Sequence, residues 1–228
     1  MSIEHGLALL RLNEQRDASV VQFSLLGRDW ELLPGVFSPT ACFSTKLFAS
    51  WLSYAGVERF LEIGSGAGVI AVTAAIAGCR SVTAVDIDSA AVENTLRNAR
   101  RHGVSNRVEC FQGDLFSALP ESNEFDLIFW NSNFIEPPSD FALHTPLRRA
   151  IFDPGYEAHD RFLREAPGWL SPQGRLFLGF SDLGNTEHLR ELAATQGLSI
   201  RMERSASIPY AQPIEYQLVE LARKSEGS

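Results

Sequence analysis

Lysine is almost absent from this chain of 228 residues, which contains only Lys46 and Lys224. The formal net charge at pH 7 is −8, so acidic side chains outnumber basic ones. Proteins that bind long stretches of nucleic acid normally carry a face rich in lysine and arginine, because neutralising phosphate groups supplies most of their affinity. The acidic balance therefore argues against extensive nucleic-acid binding.

Cysteines and long apolar segments are also scarce. Cys42, Cys79 and Cys110 are odd in number and form no CxxC pair, so the sequence predicts neither a disulfide framework nor a metal site. Reduced, buried thiols indicate a cytoplasmic protein. No segment approaches the roughly 18 uninterrupted apolar residues of a membrane helix. The N-terminal segment lacks the basic leader and cleavage site of a signal peptide, so we expect neither a membrane anchor nor export.

Strand patterns and helix patterns alternate along most of the chain. Strands are predicted at 58–63, 81–87, 107–113, 125–130, 174–180, 198–204 and 215–223. Helices are predicted at 42–55, 67–78, 88–103, 156–170 and 185–196. The alternation predicts an α/β fold with a doubly wound, Rossmann-like sheet of seven mostly parallel strands. No helix separates the last two strands, so we expect an antiparallel C-terminal strand.

The sequence divides into one main domain and two short flanking parts. Residues 1–40 are predicted to be an N-terminal extension, in which "SVVQFSLLGRDWELL" forms one or two short strands. "LPGVFSPT" contains two prolines and a glycine and is expected to be an ordered loop. Residues 41–222 form the main α/β domain in this interpretation, and residues 223–228 form a flexible tail.

A turn with three glycines follows the first strand of the main domain. In "LEIGSGAG" (61–68), Gly64, Gly66 and Gly68 allow unusual backbone angles and close approach of a ligand. A dinucleotide fingerprint requires a small residue at the next position, which is Val69. The phosphate-binding pattern GxxxxGK[ST] is absent as well. The turn is therefore not typical of a pyrophosphate site, and a nicotinamide oxidoreductase is disfavoured.

Acidic residues stand at the ends of three successive predicted strands: Glu62, Asp86 and Asp114. A carboxylate in the position of Asp86 can accept both hydroxyls of a ribose, and Asp114 is placed to meet an adenine amino group. An adenosine ligand that has positive charge and no phosphates suits such an acidic cleft, which indicates S-adenosylmethionine. Each carboxylate alone could instead cap a helix, but capping does not explain the whole set around one glycine turn.

With these motifs the chain resembles the class I S-adenosylmethionine-dependent methyltransferases over residues 35–222. "EIGSGAG" is similar to motif I, "VDID" to the ribose-binding acid and "GDLF" to the adenine contact. "GVFSP" and "FDLIFWNSNF" resemble the small-domain group, which includes release-factor glutamine N5-methyltransferases and several ribosomal RNA guanine methyltransferases. The resemblance implies that residues 41–222 form a methyltransferase domain that uses S-adenosylmethionine.

The resemblance also implies roles for individual residues. The cofactor-binding residues are expected to be Glu62, Gly64, Ser65, Gly66, Gly68, Asp86, Ile87, Asp114, Leu115 and Asn131. Asn131 is expected to accept a hydrogen bond from the substrate nitrogen and so to aim the nitrogen lone pair at the methyl group. Phe134 would stack on a planar acceptor group. Asn131 and Phe134 are therefore the predicted catalytic residues.

The substrate motif departs from the family pattern. Relatives carry Asn-Pro-Pro-Tyr (or Phe) where this chain reads "NSNF" at 131–134. Loss of both prolines removes ring rigidity and adds side-chain donors, which favours a different substrate. The predicted substrate-binding residues are Ser132, Asn133, Phe37, Arg148 and Tyr210. The segment 135–155 holds four prolines and is long for a strand-to-helix connection, so it is expected to form a lid or binding loop.

The sequence leaves the acceptor open. Release-factor enzymes carry a sizeable helical recognition domain before the catalytic one, whereas about 40 residues precede the first predicted helix here. Together with the acidic charge, this difference favours N-methylation of a small-molecule or amino-acid-like acceptor. A protein side chain is the second alternative, and ribosomal RNA is the third. Loss of the prolines also suits a catalytically inactive partner subunit, and no pattern indicates an oligomeric state.

Overall fold

A computed structural model describes residues 2–16, 18–120, 124–210 and 212–224. The N-terminal region contains helix α1 (Ser2–Glu14) and an antiparallel hairpin of strands β1 (Val21–Leu25) and β2 (Arg28–Leu32). The two residues of the hairpin turn, Leu26 and Gly27, both have positive φ, as tight hairpins favour. The hairpin lies inside the segment that was predicted to form short strands.

The remaining strands form one sheet. They are β3 (Arg59–Ile63), β4 (Ser81–Asp86), β5 (Val108–Gln112), β6 (Phe125–Asn131), β7 (Leu170–Ser181), β8 (Leu198–Ile208) and β9 (Ile214–Arg223). Their spatial order is β5-β4-β3-β6-β7-β9-β8. Strands β3 to β7 are parallel, whereas β9 is antiparallel to both of its neighbours. The structure thus confirms the predicted seven-stranded, mostly parallel sheet with an antiparallel C-terminal strand.

Helices cover both faces of this sheet, because its central strands are apolar on both sides. The helices are α2 (Ser44–Trp51), α3 (Val69–Ile76), α4 (Ser89–Arg101), α5 (Pro146–Arg149), α6 (Glu157–Glu165) and α7 (Thr186–Thr195). Along β6, Leu127 and Phe129 pack in the core cluster that contains α2 and α3. Ile128 and Trp130 pack in the opposite cluster with α6 and α7. This alternation makes the sheet doubly wound, as predicted.

Helix α1 is an element that the sequence analysis did not predict. Its Gly6 lies against the ring of Phe152, so close that an added Cβ would be 2.5 Å from a ring carbon. Leu10 joins Ile135, Ile151 and Phe152 in a separate small core. The helix is therefore stabilised by a segment more than a hundred residues away in sequence, which no local pattern can reveal.

The N-terminal hairpin packs onto α4 through two buried asparagines. The carboxamide of Asn94 accepts a hydrogen bond from the amide of Leu33 (2.8 Å) and donates to the carbonyl of Glu31 (2.8 Å). Asn98 accepts from the amide of Glu31 (2.9 Å) and donates to the carbonyl of Ala67 (2.8 Å). The predicted extension 1–40 thus contacts the main domain, and the boundary at residue 40 stays a prediction.

The C-terminal residues form strand β9, which lies between β7 and β8 in the sheet. Strand β9 continues to Arg223, so the predicted tail 223–228 begins inside a strand, and its residues 225–228 lie outside the described residues. Within the described ranges, no helix is both long and apolar enough to cross a membrane.

Candidate active site

A cleft of about 550 Å³ opens at the carboxyl ends of the parallel strands. Residues from the ends of β3, β4 and β6 form its floor. Chain order reverses direction between β3 and β6, because β4 and β5 extend to one side and β7 to the other. Open α/β sheets bind ligands at such a switch point. The cleft therefore lies where the fold alone would place a ligand.

The glycine turn between β3 and α3 is held by hydrogen bonds within the protein. The amides of Gly64 and Ser65 both donate to the carbonyl of Val85, at 2.8 and 3.2 Å. The amide of Gly68 donates to the carbonyl of Ser65 (2.8 Å). A side chain at Gly66 would meet no protein atom within 4 Å, so the backbone borders open space. The turn is thus preorganised and leaves room for a ligand beside it.

Two carboxylates line the cleft next to this turn, those of the buried Glu62 and the half-buried Asp86. Oε2 of Glu62 accepts a hydrogen bond from the amide of Ala71 (2.7 Å), and the side chain of Asp86 accepts from the amides of Gly66 (2.8 Å) and Asp88 (2.9 Å). Burial raises the pKa of Asp86 and raises that of Glu62 well above its usual range. A cation bound beside them would favour their ionised forms, so the pair suits a positively charged ligand.

The far end of the cleft combines an apolar surface with a third carboxylate. Ile87 is 40% exposed, which is unusual for an isoleucine, and its side chain lines the cleft next to Leu115. Oδ2 of Asp114 accepts a hydrogen bond from the guanidinium of Arg161 on α6 (2.7 Å). A flat apolar ring between Ile87 and Leu115 would therefore have a carboxylate at its edge.

Asn131 stands at the end of β6, on the other side of the glycine turn. Its Nδ2 donates to the hydroxyl of Ser44 at the start of α2 (3.4 Å). The amide oxygen is then available to accept a hydrogen bond from a ligand. Ser44 is buried and lines the cleft, although nothing in the sequence distinguished it from an ordinary helix residue.

The two residues that replace the family prolines use their side chains to bond the protein backbone. The hydroxyl of Ser132 donates to the carbonyl of Gly179 on β7 (2.9 Å). Nδ2 of Asn133 donates to the carbonyls of Arg149 and Phe152, both at 2.9 Å. The expected gain in backbone freedom is therefore offset, because hydrogen bonds restrain this loop where proline rings are missing. Both residues line the cleft, and their predicted contact with substrate stays a prediction.

Phe134 lines the same cleft, and a tyrosine fixes its backbone. The hydroxyl of Tyr156 donates to the carbonyl of Phe134 (2.6 Å) and accepts from the amide of Asn185 (2.7 Å). Burial raises the pKa of Tyr156, so the hydroxyl stays protonated and remains a donor. The ring of Phe134 packs edge-on against Phe180, with centroids 6.0 Å apart.

The segment 135–155, here called the lid segment, forms one wall of the cleft beside Asn131 and Phe134. Phe141, Leu143 and Leu147 of this segment line the cleft, and Leu9 of α1 and Phe37 join them. The lid segment is held by a bridge between Ile135 and Phe152 and by the bonds of Asn133. This wall also contains the side chains of His144 and Arg149.

Most sequence-predicted site residues meet in this one cleft. Those that line it are Phe37, Glu62, Gly64, Ser65, Gly66, Asp86, Ile87, Asp114, Leu115, Asn131, Ser132, Asn133 and Phe134. Gly68, Arg148 and Tyr210 are not among its lining residues. The structure explains the glycine at position 68 by packing, because an added Cβ would lie 2.7 Å from the Cα of Thr95 on α4.

Arg148 and Tyr210 make contacts outside the cleft. The guanidinium of Arg148 lies 5.3 Å from the ring centroid of Phe141 and donates to the carbonyl of Ala142 (3.2 Å). The ring of Tyr210 lies against His5 and Phe43, with centroids 6.1 and 6.0 Å away. Neither arrangement supports the predicted contact with substrate.

Lining residues that the sequence analysis did not assign to the site include Ser44, Trp130 and Arg161. Trp130 is the last apolar residue of a buried strand, and such a residue is ordinarily part of the core. Arg149 differs from its predicted neighbour Arg148 by one position in a short helix, so the pattern could not choose between them. Within the described ranges, no group of three or more His, Cys, Asp or Glu side chains is arranged to hold a metal ion.

Comparison with known proteins identifies relatives of this arrangement. Residues 30–196 match the model of a family described as the methyltransferase small domain. A ribosomal protein uL3 glutamine methyltransferase of Bradyrhizobium diazoefficiens is 38% identical over 53% of the chain and 40% of that relative. A release factor glutamine methyltransferase of Bordetella pertussis is 33% identical over 67% of the chain and 59% of that relative. The chain thus spans about half the length of these curated relatives.

A solved structure shows the same fold. The 16S rRNA N2 G1207 methyltransferase of T. Thermophilus, in complex with AdoMet and guanosine, superposes with a TM-score of 0.62. The match covers 90% of this chain and 50% of that protein, at 21% sequence identity. At this identity the likeness concerns the fold and not the substrate.

Proposed function

Since this chain belongs to the methyltransferase small-domain family, we propose that it transfers the methyl group of S-adenosylmethionine to a nitrogen atom of a small-molecule or amino-acid-like acceptor. Membership confirms the predicted resemblance, the enzyme class and the cofactor. The observation that carries the acceptor proposal is the position of Asn131, which lines the same cleft as Glu62 and Asp86 and whose Nδ2 donates to Ser44.

The residues of the cleft fit this cofactor. Asp86 would accept hydrogen bonds from the ribose hydroxyls, and Ile87 and Leu115 would contact the two faces of the adenine ring. Glu62 would favour the positively charged amino-acid end, because its own carboxylate is buried without a cationic protein partner among the described residues. S-adenosylmethionine supplies a methyl group that is already activated by a positively charged sulfur.

The protein's contribution to such a transfer is to position the acceptor. The amide oxygen of Asn131 would accept a hydrogen bond from an N–H of the acceptor, and this contact orients the nitrogen lone pair. Phe134 would pack against a planar group that carries the nitrogen. A neutral amine nitrogen needs no general base before the transfer, and the proton that the methylated nitrogen must then lose can pass to solvent, so Asn131 can act by orientation alone.

The size of the acceptor is inferred from the walls around Asn131. Phe37, Leu9 and the lid residues Phe141 and Leu147 border this side of the cleft, which supports an acceptor with a compact apolar part. The net charge of −8 also disfavours a large polyanion. Arg149 at the same wall offers a cation to an acceptor that bears a carboxylate.

A second candidate acceptor is the side-chain amide of a glutamine in a protein. The sequence relatives named glutamine methyltransferases, at 38% and 33% identity, favour it. A glutamine amide is planar, and its N–H can donate the hydrogen bond that the amide oxygen of Asn131 would accept. The difference between the candidates is therefore the size of the molecule that carries the nitrogen, not the chemistry at Asn131.

Radiolabelled methyl transfer into cell extract distinguishes these acceptors. We expect the purified chain, given S-adenosylmethionine with a tritiated methyl group, to label the low-molecular-weight fraction, and Asn131→Ala to abolish the labelling. If the tritium is found in macromolecules and is released only by protease, the acceptor is a protein. If ribonuclease releases it, the acceptor is RNA. Unchanged labelling by the Asn131→Ala variant would overturn the role of Asn131.

A further inference from the structure

Trp130 presents a hydrogen-bond donor to the cleft that no protein group uses. Its side chain is 6% exposed, and it lines the cleft at the end of β6. The indole nitrogen lies 3.4 Å from the position that a Cβ on Gly64 would occupy, beside the first glycine of the turn. No acceptor for this N–H is found among the described residues. The nitrogen is also not among the side-chain nitrogen and oxygen atoms that are fully buried without a hydrogen-bond partner. The donor therefore faces space that a ligand can enter.

The glycine turn itself has few donors left. Gly64, Ser65 and Gly68 donate their amides to carbonyls of the protein, and Gly66 donates to Asp86. The amide of Ala71 in the first turn of α3 donates to Glu62. The carboxylate groups around the turn are acceptors and repel a further anion. The amide of Ala67 has no acceptor among the described residues, so an anionic group bound here can combine that amide with a donor from outside the turn.

The order of strands places the parts of the cofactor along the cleft. If Asp114 and Asp86 hold the adenosine at the ends of β5 and β4, the amino-acid end extends over β3 and β6. Gly64 directly follows β3, and Trp130 lies in β6 directly before Asn131. The amino-acid end carries a carboxylate, for which the acidic residues nearby are unsuitable partners.

We propose that the indole N–H of Trp130 binds the carboxylate of the cofactor's amino-acid end. This inference rests on the proposed function, because it assumes that S-adenosylmethionine occupies the cleft. An indole is a donor only, so it discriminates in favour of an anion at this position. Trp130 is then a determinant of cofactor specificity, and Glu62 takes the ammonium group of the same moiety.

Packing fixes the indole in the orientation that this role requires. The ring lies against His159 and Phe162 of α6, with centroids 4.7 and 5.0 Å away. His159 is itself held by Asp153, whose Oδ2 lies 2.6 Å from the imidazole Nδ1. The donor is thus preorganised, and little side-chain entropy is lost when a ligand binds.

Two ligands that differ by one carboxylate test the proposal. Calorimetry would compare S-adenosylhomocysteine with its decarboxylated form, 5′-(3-aminopropylthio)-5′-deoxyadenosine, on the wild-type chain and on Trp130→Phe. We expect the substitution to weaken S-adenosylhomocysteine about tenfold or more, the effect of removing a hydrogen bond to a charged group. Binding of the decarboxylated ligand should change less than twofold. Trp51→Phe, at a tryptophan outside the cleft, is the matched control and should leave both affinities unchanged.

A spectroscopic measurement keeps the test independent of how well the variant folds. In wild-type protein with ¹⁵N-labelled tryptophan, the Trp130 indole N–H signal should shift with S-adenosylhomocysteine and shift much less with the decarboxylated ligand. An equal loss of affinity for both ligands in Trp130→Phe would place the carboxylate elsewhere and overturn the proposal. Equal shifts of the indole N–H signal with the two ligands would do the same. Failure of the wild type to bind either ligand would instead overturn the proposed function.

Discussion

The two halves of the cleft are built in different ways. The cofactor half consists of the glycine turn and the ends of β3, β4 and β5, and hydrogen bonds from Gly64, Ser65 and Gly66 join the turn to Val85 and Asp86 at the end of β4. The acceptor half combines α1, Phe37, the 131–134 loop and the lid segment, which are far apart in sequence. The first half comes from successive strand–turn–helix units, whereas the second combines segments from distant parts of the chain.

The difference shows which half of the cleft departs from the family's sequence pattern. Its cofactor half carries the pattern common to the family. In the acceptor half, Ser132 and Asn133 replace two prolines and connect β6 to β7 and to the lid segment by side-chain hydrogen bonds. A rigid covalent ring is thus replaced by contacts that depend on the lid segment. Substitutions in the two halves should therefore have separable effects on cofactor binding and on the acceptor.

The largest effect is expected where the cofactor half is most tightly packed. Gly68→Ala should lower the free energy of unfolding by about 3 kcal/mol, because φ is +76° and the new Cβ would meet the Thr95 backbone at 2.7 Å. Gly103→Ala has a similar φ of +69° with no atom within 4 Å, and it should cost about 1 kcal/mol. Urea unfolding of both variants measures the difference. Equal losses would mean that contact with α4 contributes nothing.

The next effect concerns the affinity for cofactor. Asp86→Asn should weaken S-adenosylhomocysteine binding by about tenfold or more, since a charged acceptor for the ribose is lost. Asp114→Asn is the comparison, because Asp114 is half exposed and already paired with Arg161. Calorimetry on both variants should give a clearly smaller loss for Asp114. The reverse order would show that the adenine end, and not the ribose, dominates binding.

The acceptor half should respond differently. Asn133→Ala removes two hydrogen bonds to the lid segment and should lower the free energy of unfolding by about 1–2 kcal/mol. Affinity for S-adenosylhomocysteine should stay within twofold, because the side-chain hydrogen bonds of Asn133 go to Arg149 and Phe152 of the lid segment. Methyl transfer into the labelled fraction should fall more than cofactor binding does. A loss of cofactor affinity as large as that of Asp86→Asn would contradict the separation of the two halves.

The smallest effect is a dependence on pH. Burial raises the pKa of Glu62 and Asp86 above their ordinary values of 4.5 and 3.8, so both protonate earlier than usual as the pH falls. Affinity for a ligand with an ammonium group should therefore decrease as the pH is lowered from neutral, and Glu62→Gln should flatten that profile. Stability has the opposite sign, since a raised carboxyl pKa contributes stability at low pH that is lost as pH rises through the folded-state value. A flat calorimetric profile in the wild type would refute this dependence.

The sequence predicted the cofactor half well because its signals are short. Glu62, Gly64 and Asp86 stand at fixed distances from strand ends, so the alternation of strands and helices was enough to bring them together. Helix α1 was missed because its burial depends on Phe152, and periodicity could not choose between Arg148 and Arg149 in a short helix. Trp130 was not predicted because it belongs to an apolar strand, and the sequence pattern cannot distinguish a core residue from one that lines a cleft.

The structure of the chain with S-adenosylhomocysteine bound tests the central claim most directly. The account predicts the ribose hydroxyls on the carboxylate of Asp86, the amino-acid end between Glu62 and Trp130, and the sulfur turned towards the amide of Asn131. A ligand bound outside the cleft, or one whose sulfur faces away from Asn131, would contradict it.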